Sequence, residues 1–199
     1  MTLLDRIAPE TFRDGRIPVL ETARLVLRAP LADDAKAIAA LVNDRRIAQN
    51  TLRIPHPYML ADAETFIASS NQPGGEIVFL ITGSDGGVLG CCGIERLDGG
   101  TAEIGYWLGV AHWGKGYATE AARAVIDHAF ADAGCETLLA GARVSNPASR
   151  RVLEKCGFQW TGVGLYRIRA LKSSAPVDRF RLDRGLWASL KSWSDARRV

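Results

Sequence analysis

Short apolar runs in the middle of the chain predict three consecutive β-strands. The segments 76–83, 87–97 and 101–110 are largely apolar, and residues 102–110 are rich in aromatic and β-branched residues, as strands are. Asp85-Gly86-Gly87 and Asp98-Gly99-Gly100 separate them, and such Asp-Gly sequences form tight hairpin turns. The pattern therefore predicts an antiparallel meander.

One strand, two helices and a loop are predicted before this meander. Residues 24–29 alternate between apolar and polar, as a strand does, and 32–44 form a predicted helix with acidic residues in its first turn. A second short helix is predicted over 61–70. The segment between the helices, 45–60, contains two prolines and has no clean period, so we interpret it as an irregular loop with a function.

After the meander, predicted helices and strands alternate. Apolar residues spaced at i, i+3, i+4 and i+7 predict a helix over 117–133, which Gly134 ends. Residues 137–144 are predicted as a strand and 147–156 as a helix. The remaining segment is predicted to form two strands around a loop near 172–176, followed by a short final helix.

These elements predict a mixed α/β fold in a single domain over residues 21–190, with an N-terminal extension at 1–20 and a C-terminal tail at 191–199. The chain has 199 residues, of which 47% are hydrophobic and 24% charged, as in an ordinary soluble domain. Its formal net charge of +3 does not indicate a nucleic-acid partner. We expect a cytoplasmic protein without a membrane partner, because no apolar run approaches the ~20 residues of a membrane span and the chain does not begin like a secretory signal.

The cysteines and histidines do not form the patterns of metal sites. Cys91 and Cys92 are adjacent, and no Cys-x-x-Cys pair occurs among the four cysteines. The three histidines lack the spacing of metal ligands. We therefore expect no metal and no disulfide framework, with buried free thiols instead.

A glycine-rich stretch, WGKGYATEA (113–121), joins a predicted strand to a predicted helix. Its glycines allow backbone N–H groups to converge at the positive end of the helix, where phosphate oxygens bind well. A P-loop is excluded because Gly116, not Ser or Thr, follows Lys115. A Rossmann fingerprint is disfavoured because Thr119 occupies its sixth position and the nearby acid, Glu136, precedes the next strand.

Two separated motifs carry a resemblance to a known family. Residues 113–118 resemble the pyrophosphate loop of GNAT acetyltransferases, written [Gln/Arg]-x-x-Gly-x-[Gly/Ala], with Trp113 departing from the usual first residue. The stretch SNPASRRVLEKCGF (145–158) resembles the later signature of the same superfamily, in which an Asn, a short helix and Gly-Phe follow one another. The opening ETARLVLRAPLADDA and the closing DRFRLDRGLW are similar to the RimJ/RimL-like branch, which includes ribosomal-protein N-terminal acetyltransferases.

The resemblance implies a GNAT fold, whose mostly antiparallel central sheet is flanked by helices. It also implies an N-acetyltransferase that uses acetyl-CoA as cosubstrate and transfers the acetyl group directly to an amine. The acceptor is then a small-molecule amine or a protein N-terminus. A homodimer is left open, and so is a rival function, a catalytically idle module that binds or senses acyl-CoA on the same fold.

By the same resemblance, backbone groups would hold the coenzyme. The residues assigned to it are Leu108, Val110, Gly114, Lys115, Gly116, Tyr117, Ala118, Thr119 and Asn146. The first two would offer backbone groups to the pantetheine, and the loop residues would hold the pyrophosphate. Lys115 has the alternative of being a solvated surface lysine. Asn146 has the alternative of capping the helix that begins at Pro147.

Two catalytic candidates follow. Glu103 is the candidate base, because a carboxylate can remove the proton of the acceptor amine directly or through one water; its alternative is an exposed, ion-paired strand end. Many GNAT enzymes assist the leaving thiolate with a tyrosine seven residues after the Asn, but that position is Leu153 here. Ser149 or a water is then the candidate, with a serine bonded to its own backbone as the alternative.

The acceptor is expected between the loop 45–60 and the C-terminal strands. The loop contributes Arg53, His56 and Tyr58, and the strands contribute Tyr166. The sequence does not indicate which amine binds there.

Overall fold

The computed structural model describes residues 17–196 apart from 71 and 73–75. Eight strands form one sheet in the order β1-β2-β3-β4-β5-β6-β8-β7, and of the described pairs only β5–β6 is parallel. The strands are β1 (Leu20–Glu21), β2 (Leu25–Arg28), β3 (Ile77–Gly83), β4 (Val88–Arg96), β5 (Thr101–Leu108), β6 (Thr137–Arg143), β7 (Gln159–Ile168) and β8 (Ser173–Asp183). The mixed α/β fold with a mostly antiparallel sheet is thereby confirmed.

Helices cover both faces of the sheet. They are α1 (Ala35–Val42), α2 (Arg45–Ala48), α3 (Leu60–Ser70), α4 (Tyr117–Ala131), α5 (Pro147–Lys155) and α6 (Arg184–Ala196). The larger core contains residues of α4, α5 and α6, and the smaller one contains residues of α1, α2 and α3. None of the described helices is long and apolar enough to cross a membrane.

Successive strand residues face different cores, because side chains alternate along a strand. On β3, Phe79 belongs to the larger core and Leu80 to the smaller one. On β5, Tyr106 packs against the larger core and Trp107 against the smaller one. The two faces of β5 are therefore chemically distinct, as the site below requires.

Three local predictions are corrected by the structure. The predicted helix 32–44 is a 3₁₀ turn followed by α1, which ends at Val42, and the predicted irregular segment 45–60 begins with the short helix α2. The predicted loop near 172–176 is wrong: the turn between β7 and β8 is a 3₁₀ turn at Arg169–Leu171, and Pro176 lies inside β8. A proline lacks an N–H donor, but the Pro176 carbonyl still accepts from the Val144 amide at 3.2 Å.

Described residues near both ends of the chain belong to regular elements or pack against the core. Residues 1–16 of the predicted extension lie outside the described residues. Ile17 and Leu20 pack against the larger core, and β1 begins at Leu20. At the other end α6 continues to Ala196, so the predicted tail begins inside a helix.

The sheet splits at its centre. β5 pairs with β6 only from Thr101 to Ile104, opposite Thr137 to Ala140. Beyond this point β5 continues along β4 as far as Leu108, and β6 continues along β8 as far as Arg143. The two strands therefore diverge after Ile104, and a gap opens between them on the side that leads to the glycine-rich loop.

Candidate active site

The last residues of β5 present backbone groups to this gap. The Gly109 amide donates to the Leu89 carbonyl at 2.8 Å, toward β4. Because backbone groups alternate in direction along a strand, those of Leu108 point toward the gap. The Trp113 indole N–H donates to the Leu108 carbonyl at 2.8 Å, and its amide donates to the Val110 carbonyl at 3.2 Å. The tryptophan that departs from the family pattern thus closes the bend between β5 and the loop.

The glycine-rich loop leads into the N-terminal backbone amides of helix α4. Gly114 and Gly116 have φ angles of 75° and 81°, in the left-handed region that favours glycine. Gly116 is the N-cap of α4, and its carbonyl accepts from the Glu120 amide at 3.1 Å. The first N–H groups of a helix have no carbonyl partner within it, and here they lie beside the gap at the positive end of α4. The loop therefore fits an anion such as pyrophosphate.

An ion pair that the sequence did not indicate braces this loop. The Glu120 carboxylate accepts from the Thr22 hydroxyl at 2.7 Å and from the Arg24 amide at 2.9 Å. The Arg24 guanidinium donates to Glu120 at 2.8 Å and to the Lys115 carbonyl at 3.0 Å, and lies 4.7 Å from the Tyr117 ring centre. Burial raises the pKa of Glu120, but these hydrogen bonds outweigh it and leave the pKa below its usual range.

The start of α5 brings Asn146 and Ser149 to the other side of the gap. The Asn146 side-chain oxygen accepts from the Ser149 amide at 3.2 Å, so Asn146 caps α5. The Ser149 hydroxyl lies 3.0 Å from the Tyr106 hydroxyl of β5, which also donates to the Ser149 carbonyl at 3.1 Å. Burial raises the pKa of Tyr106 despite the Ser149 hydrogen bond, which lowers it. Leu153 is 1% exposed and belongs to the larger core.

Glu103 lies on the opposite face of β5. Its carboxylate accepts from the Arg179 guanidinium of β8 at 2.9 and 3.4 Å. The Arg179 guanidinium stacks 5.0 Å from the centre of the Tyr166 ring of β7. Glu103 and Tyr166 therefore share one polar contact network, and Glu103 and Ser149 flank β5 from its two faces.

A second ion-pair network adjoins the first. Glu95 is the direct cross-strand neighbour of Glu103, and it pairs with Arg53 at 3.2 Å. Arg53 also pairs with Glu76 at 3.3 Å, and burial raises the pKa of Glu76 above its usual range. Like charges directly opposite each other destabilise a sheet. Here Arg53 neutralises Glu95, and Arg179 neutralises Glu103. Arg53 is thereby brought to the same face as Glu103.

The other two residues of the predicted acceptor site are placed differently. Tyr58 is only 8% exposed and packs in the smaller core, and its amide donates to the Asn43 side chain at 2.9 Å. Burial, with a contribution from Asp62, raises the pKa of Tyr58 to about 12. Its ring is part of the core and not of an open surface. His56 is exposed.

The free cysteines are protonated at neutral pH. Cys91, Cys92 and Cys135 are buried and Cys156 is half-buried, and none forms a disulfide among the described residues. Burial raises the pKa of Cys156 to about 11 and raises the pKa of the three others as well. Within the described ranges, no group of three His, Cys, Asp or Glu side chains is arranged to hold a metal ion.

A split sheet, a helix N-terminus at the mouth of the split and a capped helix beyond it are features of acyltransferases that bind coenzyme A, and comparison with known proteins agrees. The acetyltransferase (GNAT) domain family matches residues 24–159, more than half of the chain. The chain is 31% identical over 149 residues to the uncharacterized N-acetyltransferase p20 of Bacillus licheniformis, covering 72% of this chain and 84% of that protein.

Two further matches are to a ribosomal-protein acetyltransferase and to a RimJ structure. The ribosomal-protein-serine acetyltransferase of Escherichia coli (strain K12) is 39% identical over 72 residues, 36% of this chain and 40% of that protein. The structure of Mycobacterium smegmatis RimJ in complex with CoA-disulfide superposes with a TM-score of 0.75 at 20% identity, covering 85% and 88% of the two chains. The chain belongs to the GNAT family of N-acetyltransferases.

Proposed function

We propose that the protein transfers an acetyl group from acetyl-CoA directly to a primary amine, carried either by a protein N-terminus or by a small molecule. The observation that carries the proposal is the divergence of β5 from β6 after Ile104, with the N-terminus of α4 at the mouth of the gap. A long, narrow ligand that ends in phosphates is complementary to this arrangement. We place the reaction in the cytoplasm, because the free thiols suit a reducing compartment.

The loop Gly114–Thr119 and the first amides of α4 would hold the pyrophosphate, and the backbone of Leu108 and Val110 would pair with the pantetheine. The ion pair between Arg24 and Glu120 keeps the Lys115 carbonyl turned away from the anion, because Arg24 holds that carbonyl. The Asn146 side-chain oxygen accepts the hydrogen bond that caps α5, so the side-chain NH₂ group remains available to donate to the coenzyme chain. When bound, acetyl-CoA supplies the activated acetyl group.

Glu103 is the proposed base. A protonated amine, with a pKa of ~8 at a protein N-terminus or ~10 in an alkylamine, cannot attack a thioester until it loses a proton. The Arg179 guanidinium donates to the Glu103 carboxylate at 2.9 Å and so fixes its orientation. Tyr166 and Arg53 lie on the same face of the sheet as Glu103. The amine would approach from this face, and the proton would pass to a Glu103 oxygen directly or through one water.

The Tyr106–Ser149 hydroxyl pair is proposed to stabilise the departing thiolate. Burial raises the pKa of Tyr106, so its phenol remains protonated. Its single O–H proton can turn from the Ser149 carbonyl to the Ser149 hydroxyl oxygen, which lies 3.0 Å away. Ser149 then has its own O–H proton available for the negative charge that develops on sulfur. Tyr106 acts in this arrangement as a positioning residue for Ser149, in place of the tyrosine that the family carries at the position of Leu153.

Direct transfer, without an acetylated enzyme, is supported by the state of the cysteines. A thiol becomes a nucleophile as thiolate, and burial raises the pKa of all four. No described cysteine is therefore activated to take the acetyl group in a first step.

Thiol release from acetyl-CoA in the presence of an amine panel tests the proposal. We expect release that depends on both substrates and a mass increase of one acetyl group on the acceptor. An idle acyl-CoA-binding module would instead bind acetyl-CoA, seen as a higher Tm, without turnover on any amine. That outcome would remove the catalytic proposal and leave the binding site.

A further inference from the structure

An open cleft of about 580 Å³ lies at the acceptor side of the molecule, and its polar lining is entirely cationic. It is lined by Leu52, Arg53, Arg167, Arg169 and Lys172. The Arg169 amide donates to the Leu52 carbonyl at 3.0 Å, and this hydrogen bond joins the turn between β7 and β8 to the segment that precedes α3. Two segments far apart in sequence thus contribute positive charges to one surface.

Three of these charges are uncompensated. Arg53 is balanced by Glu76 and Glu95. In the part of the chain that the structure describes, Arg167, Arg169 and Lys172 form no ion pair, and all three side chains are exposed. Lys172 holds its position with a φ of 53°, which is uncommon for a residue with a side chain. The turn therefore presents a concentrated positive charge to the cleft.

The cleft adjoins the proposed base and lies away from the phosphate loop. Arg53 contacts Glu95, the cross-strand neighbour of Glu103. Glu103 precedes Leu108 by five residues, about 17 Å along a strand, and the loop lies further on. The positive charge is thus on the side from which the amine would approach, and the pyrophosphate has its own site at α4.

We propose that this cleft selects an anionic acceptor, the N-terminus of a polypeptide whose following residues are acidic. The inference rests on the proposed function and narrows its acceptor. Polyamines and aminoglycosides carry several positive charges, which the cleft would repel, so these classes are disfavoured. An amine with a single carboxylate would use only part of a cleft of this size, whereas successive Asp or Glu side chains reach cations on both segments.

The experiment compares short peptides that share their first residue and continue with acidic, amide or basic residues. With acetyl-CoA, we expect kcat/KM to be about tenfold higher for the acidic than for the amide peptide at low salt, and the advantage to shrink as salt screens the charges. Small anionic amines form a separate arm and should react less well than the acidic peptide. Calorimetry of the acidic peptide with CoA present reports its binding without turnover.

Two variants locate the effect. Arg167→Gln combined with Arg169→Gln should remove most of the preference for the acidic peptide while leaving the rate on the amide peptide within about twofold. Lys36→Gln, which removes an exposed cation of α1, should keep the full preference.

Equal rates on the acidic and amide peptides would overturn this inference while leaving the proposed function intact. A preference retained in the Arg167/Arg169 variant, or lost equally in Lys36→Gln, would also overturn it, because the effect would then come from the whole molecule's field. A higher rate on small anionic amines than on peptides would replace the polypeptide acceptor. Acetyl-CoA binding without transfer to any acceptor would instead be a failure of the proposed function.

Discussion

Glu103 carries the most direct prediction at the scale of single residues. Glu103→Gln keeps the shape of the side chain and removes its ability to accept a proton. We expect acetyl-CoA affinity to be nearly unchanged and kcat/KM to fall by about 10²-fold, with a smaller loss at high pH, where more of the amine is already neutral. Steady-state rates between neutral and alkaline pH measure this effect. Glu136→Gln, which alters another glutamate ion-paired to an arginine, is the matched control and should keep the wild-type profile.

An unaltered rate and pH profile in Glu103→Gln would assign this carboxylate a purely structural role as the partner of Arg179. A loss that stays constant with pH would have the same meaning, since a disturbed ion pair lowers activity without changing which amine form reacts.

The Tyr106–Ser149 pair allows a sharper test than either residue alone. A hydrogen bond to a charged group contributes roughly 1.5–3 kcal/mol, so Ser149→Ala should lower kcat about ten- to a hundredfold. Tyr106→Phe removes the hydroxyl that orients Ser149, and we expect a smaller loss of about three- to tenfold in kcat. Neither variant should change acetyl-CoA affinity appreciably. The measurement is a double-mutant cycle in kcat, with binding measured separately by calorimetry.

The cycle distinguishes a positioning role from a structural one. If Tyr106 acts through Ser149, adding Tyr106→Phe to Ser149→Ala costs almost nothing further. Additive losses would mean that the phenol serves only the packing of the larger core. A normal rate in Ser149→Ala would leave the thiolate to water alone.

The structural position of a single residue could be predicted from the sequence only where the residue belongs to a motif. Gly116 and Asn146 lie in motifs, and the structure places them at a helix N-terminus and a helix cap. Arg179 is 76 residues from Glu103, and Arg24 is 96 residues from Glu120, so no local pattern indicates these contacts. Tyr58 looked like a loop residue, but the segment folds back and buries its ring.

At the scale of elements, the ion pair between Arg24 and Glu120 joins the start of α4 to the turn before β2. Hydrogen bonds lower the pKa of Glu120 in the folded state. Its carboxylate therefore contributes stability above the unfolded pKa, about 4.3, and loses that contribution as the pH falls through the lower folded value.

Glu120→Gln tests this element-level contact. At pH 7 the variant should lose about 1–2 kcal/mol in the free energy of unfolding, the lower part of the range for charged hydrogen bonds, because Arg24 is half exposed. The difference from wild type should shrink at acid pH, as the pH falls through the lowered folded pKa and the wild-type carboxylate also becomes protonated. Urea denaturation at both pH values measures it. A difference that does not depend on pH would assign the loss to packing alone.

Elements with a strong period were predicted well, and those that depend on distant pairing were not. The meander β3–β5 and the helix α4 follow the apolar pattern closely. The end of the chain was misjudged because Pro176 is a common turn residue, whereas here β8 has neighbours on both sides and uses only the proline carbonyl. Which donor pairs with a proline carbonyl depends on the neighbouring strand, and the local sequence does not show which strand that is.

At the scale of the whole molecule, the insertion of β8 between β6 and β7 is what the sequence pattern left undetermined. Local periodicity defines strands but not their order, because the order is set by contacts between residues far apart in the chain. The resemblance implied a mostly antiparallel sheet, and the strand order and the gap between β5 and β6 are seen in the structure. The gap separates the sheet into a β1–β5 part and a β6–β8 part, which meet through the four residue pairs of the short parallel ladder.

A ligand that binds in the gap should therefore couple the two parts of the sheet. At about 100 times its Kd, a ligand that binds only the folded state stabilises it by about 2.7 kcal/mol. For a chain of this size that raises Tm by roughly 5–11 °C. We expect acetyl-CoA to produce such a shift in the wild type and in the Glu103→Gln and Ser149→Ala variants, since these change the chemistry and not the phosphate site.

Gly116→Asp should abolish the shift, because it adds a negative charge where phosphate would bind and a Cβ at a φ of 81°. Gly99→Asp is the matched control: it introduces the same side chain at a φ of 66° in the turn between β4 and β5, away from the gap. Both variants lose stability without ligand, so the comparison is the change in Tm on adding acetyl-CoA. A full shift in Gly116→Asp would contradict the phosphate site at α4. A lost shift in both variants would mean that the strain of a substituted glycine, and not the charge at the helix N-terminus, controls binding. Hydrogen exchange tests the coupling of the two parts of the sheet, since a ligand in the gap should slow exchange of amides in both β5 and β6.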